Sequence, residues 1–155
     1  MHPHTSTLLL PLPKHSCTPK ESLINAWGVY LETFSWQYYC TFTALKPMSL
    51  TLARSAMTSF YEALNKQFAP VTIFWVAEPF DTTYGYHTHA LIDLSLPVSK
   101  KTESTIKKNW SNTIGGKSTK FYNRTLIMPY VKQWGANFYL SKYLHRHSSD
   151  HDLFI

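Results

Sequence analysis

Between Pro70 and Leu94 the chain carries two runs rich in β-branched and aromatic residues, split by a short turn segment around Asp81–Gly85. The first, Val71-Thr72-Ile73-Phe74-Trp75-Val76-Ala77-Glu78, ends in a carboxylate, and the second is Tyr86-His87-Thr88-His89-Ala90-Leu91-Ile92-Asp93-Leu94. Runs of this length and composition joined this closely specify an antiparallel strand pair. Side chains alternate across a strand, so His87 and His89 share one face while Tyr86, Ala90, Ile92 and Leu94 share the other. A lone hairpin is marginal in water, and the rest of the chain must therefore supply strands and helices to cover it.

Those elements are legible on both sides. Thr18, Pro19 and Glu21 form a helix-start signal, with Leu23, Trp27, Tyr30, Leu31 and Phe34 at helical spacing to about residue 34. The aromatic stretch from Trp36 to Thr43 reads as a strand. Ser49 can cap a long helix bearing Ala53, Met57, Phe60, Leu64 and Phe68 on one side. After the hairpin come a lysine-rich helix over 100–112, a strand over 120–128 and a last helix over 134–147. The order is helix, then β-α-β-β-α-β, then helix. It predicts an α+β domain of ferredoxin-like or RRM-like layout, an antiparallel sheet with helices on one face and the other face free for a site. Residues 1–17 are expected to be a flexible arm, 18–147 the domain, and 148–155 a C-terminal tail.

With 155 residues, 44% hydrophobic and 15% charged, the chain can bury a real core and is not of disordered composition. A formal charge of +6 suits a polyanionic partner, although solvated lysines account for it equally well. The two cysteines, Cys17 and Cys40, form no C-x-x-C pair, which points away from a disulfide framework and towards a reducing cytoplasm. The apolar run Leu8–Leu10 is short and is followed by Pro11 and Pro13, so neither a signal core nor a membrane span is expected.

Chemistry concentrates in two places. A hairpin sets Glu78 beside His87 and His89, giving two nitrogen donors and one oxygen that can hold a divalent ion with positions left open. Asp81, in the turn, is the weaker third ligand. In the last helix Tyr139 and Tyr143 are four apart and share a face, and Lys142 lies one turn from Tyr139. A tyrosine attacking a phosphodiester needs a metal or cation to polarise the phosphate; the same spacing also suits an amphipathic helix with core tyrosines.

Taken in order, these blocks resemble the HUH endonuclease superfamily, specifically the replication initiators of rolling-circle plasmids and single-stranded DNA phages. The strand Tyr39-Cys40-Thr41-Phe42-Thr43 resembles the family's Thr-bearing first motif, His87-Thr88-His89 its histidine motif, and Tyr139–Tyr143 its Tyr-x-x-Lys and two-tyrosine forms. Thr88 departs from the usual bulky hydrophobe. The resemblance covers roughly residues 36–147 and implies a metal, Mg2+ or Mn2+, on Glu78, His87 and His89. It implies attack by Tyr139 on single-stranded or hairpin origin DNA, leaving a 5′-phosphotyrosine and a free 3′-hydroxyl. Lys142 would steady the phosphate, and Tyr143 is either a second nucleophile or a packing residue. A separate host helicase and polymerase in a prokaryotic cytoplasm would complete replication, with no membrane partner.

Lys107, Lys108, Lys117, Lys120 and Arg124 belong to a basic stretch that suits DNA backbone contact or simple solvation. Gly115-Gly116-Lys117-Ser118-Thr119 resembles the tail of a P-loop, but Ser111 stands where the first glycine is required. His145, His147 and His151 are assigned to the tail and not to a second metal. Two other readings stay open: a single-tyrosine transposase of the same superfamily, and a non-catalytic RRM-like nucleic-acid-binding module.

Overall fold

A computed structural model describes residues 18–115, 124–146 and 148–155. The chain is α+β, with a five-stranded antiparallel sheet. In chain order the elements are α1 (Pro19–Leu31), β1 (Tyr38–Phe42), α2 (Leu50–Phe68), β2 (Thr72–Pro79), β3 (Tyr86–Asp93), α3 (Lys100–Thr113), β4 (Leu126–Pro129), α4 (Ala136–Ser141) and β5 (His151–Phe154). The sheet order β4-β1-β3-β2-β5 is the ferredoxin-like arrangement extended by one edge strand. No described helix is long and apolar enough to cross a membrane.

Local chemistry sets the boundaries. The α1 capping box forms as expected: the Glu21 N–H donates to Thr18 Oγ1 at 3.2 Å, and the Thr18 N–H donates to Glu21 Oε2 at 2.8 Å. The helix stops at Leu31, short of the expected 34: the Glu32, Thr33 and Phe34 N–H groups reach back three residues, and Trp36 Nε1 donates to the Leu31 carbonyl at 2.6 Å as the chain folds back. Ser49 caps α2, its Oγ accepting the Leu52 N–H at 3.1 Å.

One sheet face carries α2 and α3. Met57, Phe60, Leu64, Ile106 and Trp110 pack there on Tyr38, Phe42, Ile73, Trp75, Ala90 and Ile92, all of them buried. The other face is not free, contrary to the expected layout. Leu31 of α1, Leu140 of α4 and Tyr143 cover Phe74, Val76 and Leu91. Those three outward positions are apolar and could not stay in water without cost, about 25 cal/mol for each Å² exposed. Further along, the same face turns polar, at Thr41, Glu78, His87 and His89, where the Tyr143 hydroxyl meets Glu78 and the Tyr139 ring meets that of His89.

Two further expectations need correction. The last helix is not continuous over 134–147. A single 3-10 turn, Lys132–Trp134, is cut from α4 by Gly135 in the left-handed region (φ 63°). After Ser141 the Tyr143 and Leu144 N–H groups reach back three residues, to Leu140 and Ser141 at 3.2 Å each, so the turn tightens. The residues after 148 are not a loose tail either: β5 pairs with β2, with Ile73 opposite Phe154 and Val76 opposite His151. Arg54 of α2 fastens this strand through Asp150 (2.6 and 2.8 Å), Asp152 (2.8 Å) and the His151 carbonyl (2.9 Å). Of the strand expected over 120–128, the described part is Leu126–Pro129. Lys117, Lys120 and His147 lie outside the described residues.

Candidate metal centre

Register brings the three sequence-expected ligands together. Glu78 on β2 stands directly opposite His87 on β3, and Val76 stands opposite His89. Both histidines and the carboxylate therefore leave the same face, with His89 on the diagonal from Glu78. Their ligand atoms form a tight triangle. Glu78 Oε2 is 2.6 Å from His89 Nε2 and 3.2 Å from His87 Nε2, and the two Nε2 atoms are 3.0 Å apart. Among the described residues this is the one cluster of three or more His, Cys, Asp or Glu side chains with converging ligand atoms.

The triangle fits a divalent ion. Adjacent ligands stand about 3.0 Å apart in an octahedron with bonds of about 2.1 Å and about 3.4 Å apart in a tetrahedron. The two His87 edges, 3.0 and 3.2 Å, lie in that range, and the 2.6 Å His89–Glu78 edge is a hydrogen-bond distance that an ion would open. His89 is 6% exposed, so few other partners can reach its ring. Its Nδ1 faces the Tyr39 hydroxyl at 2.9 Å and the Thr41 hydroxyl at 3.1 Å, both from β1. With the proton on Nδ1 the ring donates to one of these oxygens and offers Nε2 to a metal. Burial and the nearby His87 hold the His89 imidazole down to about 4, against the pull of Glu78, so the ring is neutral at ordinary pH. Burial likewise pushes the Tyr39 phenol up to about 12. The His87 ring packs on Phe80 with centroids 4.9 Å apart, and its buried Nδ1 has no hydrogen-bond partner.

Glu78 is held from its other side. Tyr143 donates its hydroxyl to Glu78 Oε1, which leaves Oε2 for the histidines. Burial alone would raise the Glu78 carboxyl, but the Tyr143 hydrogen bond and the His89 ring outweigh it and hold it below the usual carboxylate range. Burial, and then the same contact with Glu78, push the Tyr143 hydroxyl well above an ordinary phenol. Tyr143 is 1% exposed; Tyr139 is 41% exposed, and its hydroxyl lies 3.2 Å from that of Tyr143. Lys142 Nζ sits 3.6 Å from the Tyr139 ring centroid and 4.7 Å from that of Tyr143, which puts a cation against both rings.

No protein-family model, curated protein or solved structure matches the chain. The centre is therefore defined by its own geometry. That geometry unites Glu78, His87, His89, Tyr139, Lys142 and Tyr143. It does not bring Lys107 and Lys108 to them, because α3 packs on the opposite sheet face. Arg124 is exposed in the turn before β4. Sequence reasoning missed the grip of Tyr39 and Thr41 on His89 and the cation that Arg146 sets over Tyr143 at 4.9 Å. The first was recoverable: β1 alternates Tyr38, Cys40 and Phe42 inward, so Tyr39 and Thr41 had to face the histidines.

Proposed function

We propose that the protein nicks and rejoins single-stranded DNA through a 5′-phosphotyrosine intermediate, using a divalent ion at the Glu78–His87–His89 centre. One observation carries the proposal: the hydroxyl of Tyr139, a residue 41% exposed, lies one hydrogen bond from a tyrosine that is itself bonded to the carboxylate of the candidate metal centre. The family resemblance implies Mg2+ or Mn2+; two imidazoles beside one carboxylate favour Mn2+ of the two, and the ion would supply Lewis acidity at a scissile phosphate.

The chain's own residues divide the remaining work. Tyr139 is the nucleophile: its oxygen bonds to phosphorus, the bond from phosphorus to the 3′-oxygen breaks, and the 3′-end leaves as a hydroxyl. The proton lost by the phenol is matched by the one gained at the 3′-oxygen, so the exchange is balanced and reversible. Lys142 offsets negative charge on the phenolate and on the transferring phosphoryl group. Tyr143 is buried, stays protonated and orients Glu78. This favours one acting tyrosine over two, and with it an initiator or transposase that fires a single nucleophile. Replication initiation at a hairpin origin, with a separate host helicase and polymerase, is the role this chemistry suits.

Incubation with a pool of hairpin-bearing single-stranded oligonucleotides and Mn2+ should give a protein–DNA adduct that survives denaturation. Metal chelation should abolish it. Absence of any adduct across such a pool would remove nicking and leave a non-catalytic binding module.

A further inference from the structure

Beside the metal centre, where β4 runs into the 3-10 turn and α4, lies a notch of about 210 Å³ lined by Tyr39, Met128, Tyr130, Trp134 and Tyr139, with Pro129, Val131 and Ala136 completing it. Two of these residues also belong to the centre: Tyr39 holds His89, and the hydroxyl of Tyr139 lies against that of Tyr143. The notch is therefore continuous with the place where a phosphodiester would meet Tyr139. Trp134 is 70% exposed, an unusual state for so large an apolar ring. Its backbone is nonetheless fixed: Trp134 and Gly135 donate N–H groups to Val131 and Lys132 at 3.0 Å each, closing the turn. The Tyr130 hydroxyl is anchored on Asn137 Oδ1 at 3.2 Å, and Asn137 Nδ2 donates in turn to the Gly28 carbonyl at 2.8 Å. An exposed indole is thus carried on a hydrogen-bonded turn at the edge of an apolar notch, with the Lys142 ammonium against the Tyr139 ring nearby.

We infer that this notch binds one unpaired nucleobase of a single strand, stacked on Trp134, next to the phosphate presented to Tyr139. The identity of the polymer rests on the nicking reading; the preference for a flat ring rests on the notch itself. Ligand sites for drug-sized molecules run to about 300–1,000 Å³, so a smaller cleft walled by rings takes one planar group and not a folded surface. Stacking on an aromatic face accepts any base, and a cation beside it suits the adjoining phosphate. A base held in a duplex is already stacked and paired, so entry demands a single strand. The notch therefore selects single strands over duplex before any chemistry occurs.

The test is equilibrium binding, in EDTA, of a fluorescein-labelled oligothymidylate, the same backbone made abasic, and a matched duplex. Trp134→Ala should weaken oligothymidylate binding about tenfold or more, while Trp134→Phe keeps most of the affinity. The abasic strand should bind wild type and Trp134→Ala equally, because it has no base to stack. Circular dichroism should show both variants folded, since the Trp134 side chain is largely in solvent. Equal oligothymidylate affinity for wild type and Trp134→Ala overturns the inference, as does an equal loss on the abasic strand or no single-strand binding at all. EDTA keeps this readout separate from nicking: a protein that forms no adduct with Mn2+ yet shows the Trp134-dependent, base-dependent affinity has the base site without the nuclease.

Discussion

Replacing Gly28 with alanine opposes two effects of known size and so tests how α1 positions the tyrosine segment. Gly28 is buried on α1, and α1 packs on α4. A Cβ at this position would land in the Phe138 ring, with Cγ at 2.8 Å and two other ring carbons closer still. Carbon contacts are comfortable at about 3.5–4.0 Å, so the ring or the helix must retreat by about 1.4 Å or more. Overpacking of this kind costs about 1–3 kcal/mol. Alanine in place of a helical glycine gains about 1 kcal/mol. Gly28→Ala should therefore lose up to about 2 kcal/mol, and at about 2–4 °C per kcal/mol for a chain of this length the melting temperature should fall by several degrees. In a Phe138→Ala background the clash is gone and only the helix gain remains, so the same substitution should raise the melting temperature by about 2–4 °C. Thermal unfolding by circular dichroism on the four proteins of this double-mutant cycle measures the reversal. Phe138 adjoins Tyr139, and adduct yield should fall in the single variant as well. If Gly28→Ala raises the melting temperature equally in both backgrounds, α1 and α4 do not meet as described.

Tyr39→Phe combined with Thr41→Val removes both partners of His89 Nδ1 and should weaken Mn2+ binding by about 10- to 100-fold in titration calorimetry while leaving the fold intact. Mn2+ at a hundred times its dissociation constant should stabilise the wild type by about 2.7 kcal/mol, and His87→Ala with His89→Ala should erase the shift in thermal unfolding. Arg54→Ala releases Asp150 and Asp152, but these pairs are largely solvated; urea unfolding should show a loss of only about 1 kcal/mol, smaller still at high salt, and hydrogen exchange should speed up in β5 before the rest of the sheet.

What could be read from sequence was governed by period and by turn chemistry. The alternation around His87 and His89, with Glu78 closing the previous run, was enough to set three ligand atoms on one face, because a hairpin register offers few choices. The α1 start was equally legible, since Thr18 and Glu21 act locally. The second helical layer was not. The outward apolar triplet Phe74, Val76 and Leu91 signals a covered face, but the hairpin runs are apolar at nearly every position, and period alone does not separate one buried face from two. The break in the last helix depended on Gly135 taking a left-handed conformation, and a glycine near a helix start fits either outcome. β5 escaped notice because His151-Asp152-Leu153-Phe154 carries little strand propensity and is fastened from afar, by Arg54 and by pairing to β2. The roles of the two tyrosines also needed three dimensions. Four-residue spacing makes them neighbours, yet only burial separates an exposed Tyr139 from a Tyr143 engaged on Glu78.

That separation is open to one direct measurement. Trypsin cleaves after Lys132, Lys142 and Arg146, which puts Tyr139 in the peptide 133–142 and Tyr143 in the peptide 143–146. After reaction with single-stranded hairpin DNA and Mn2+, nuclease trimming and mass spectrometry should find the nucleotide remnant on the 133–142 peptide alone. Tyr139→Phe should abolish it, and His87→Ala should do the same. A remnant on 143–146, or an adduct that persists in Tyr139→Phe, would contradict the assignment of Tyr139 as the attacking group at this candidate metal centre.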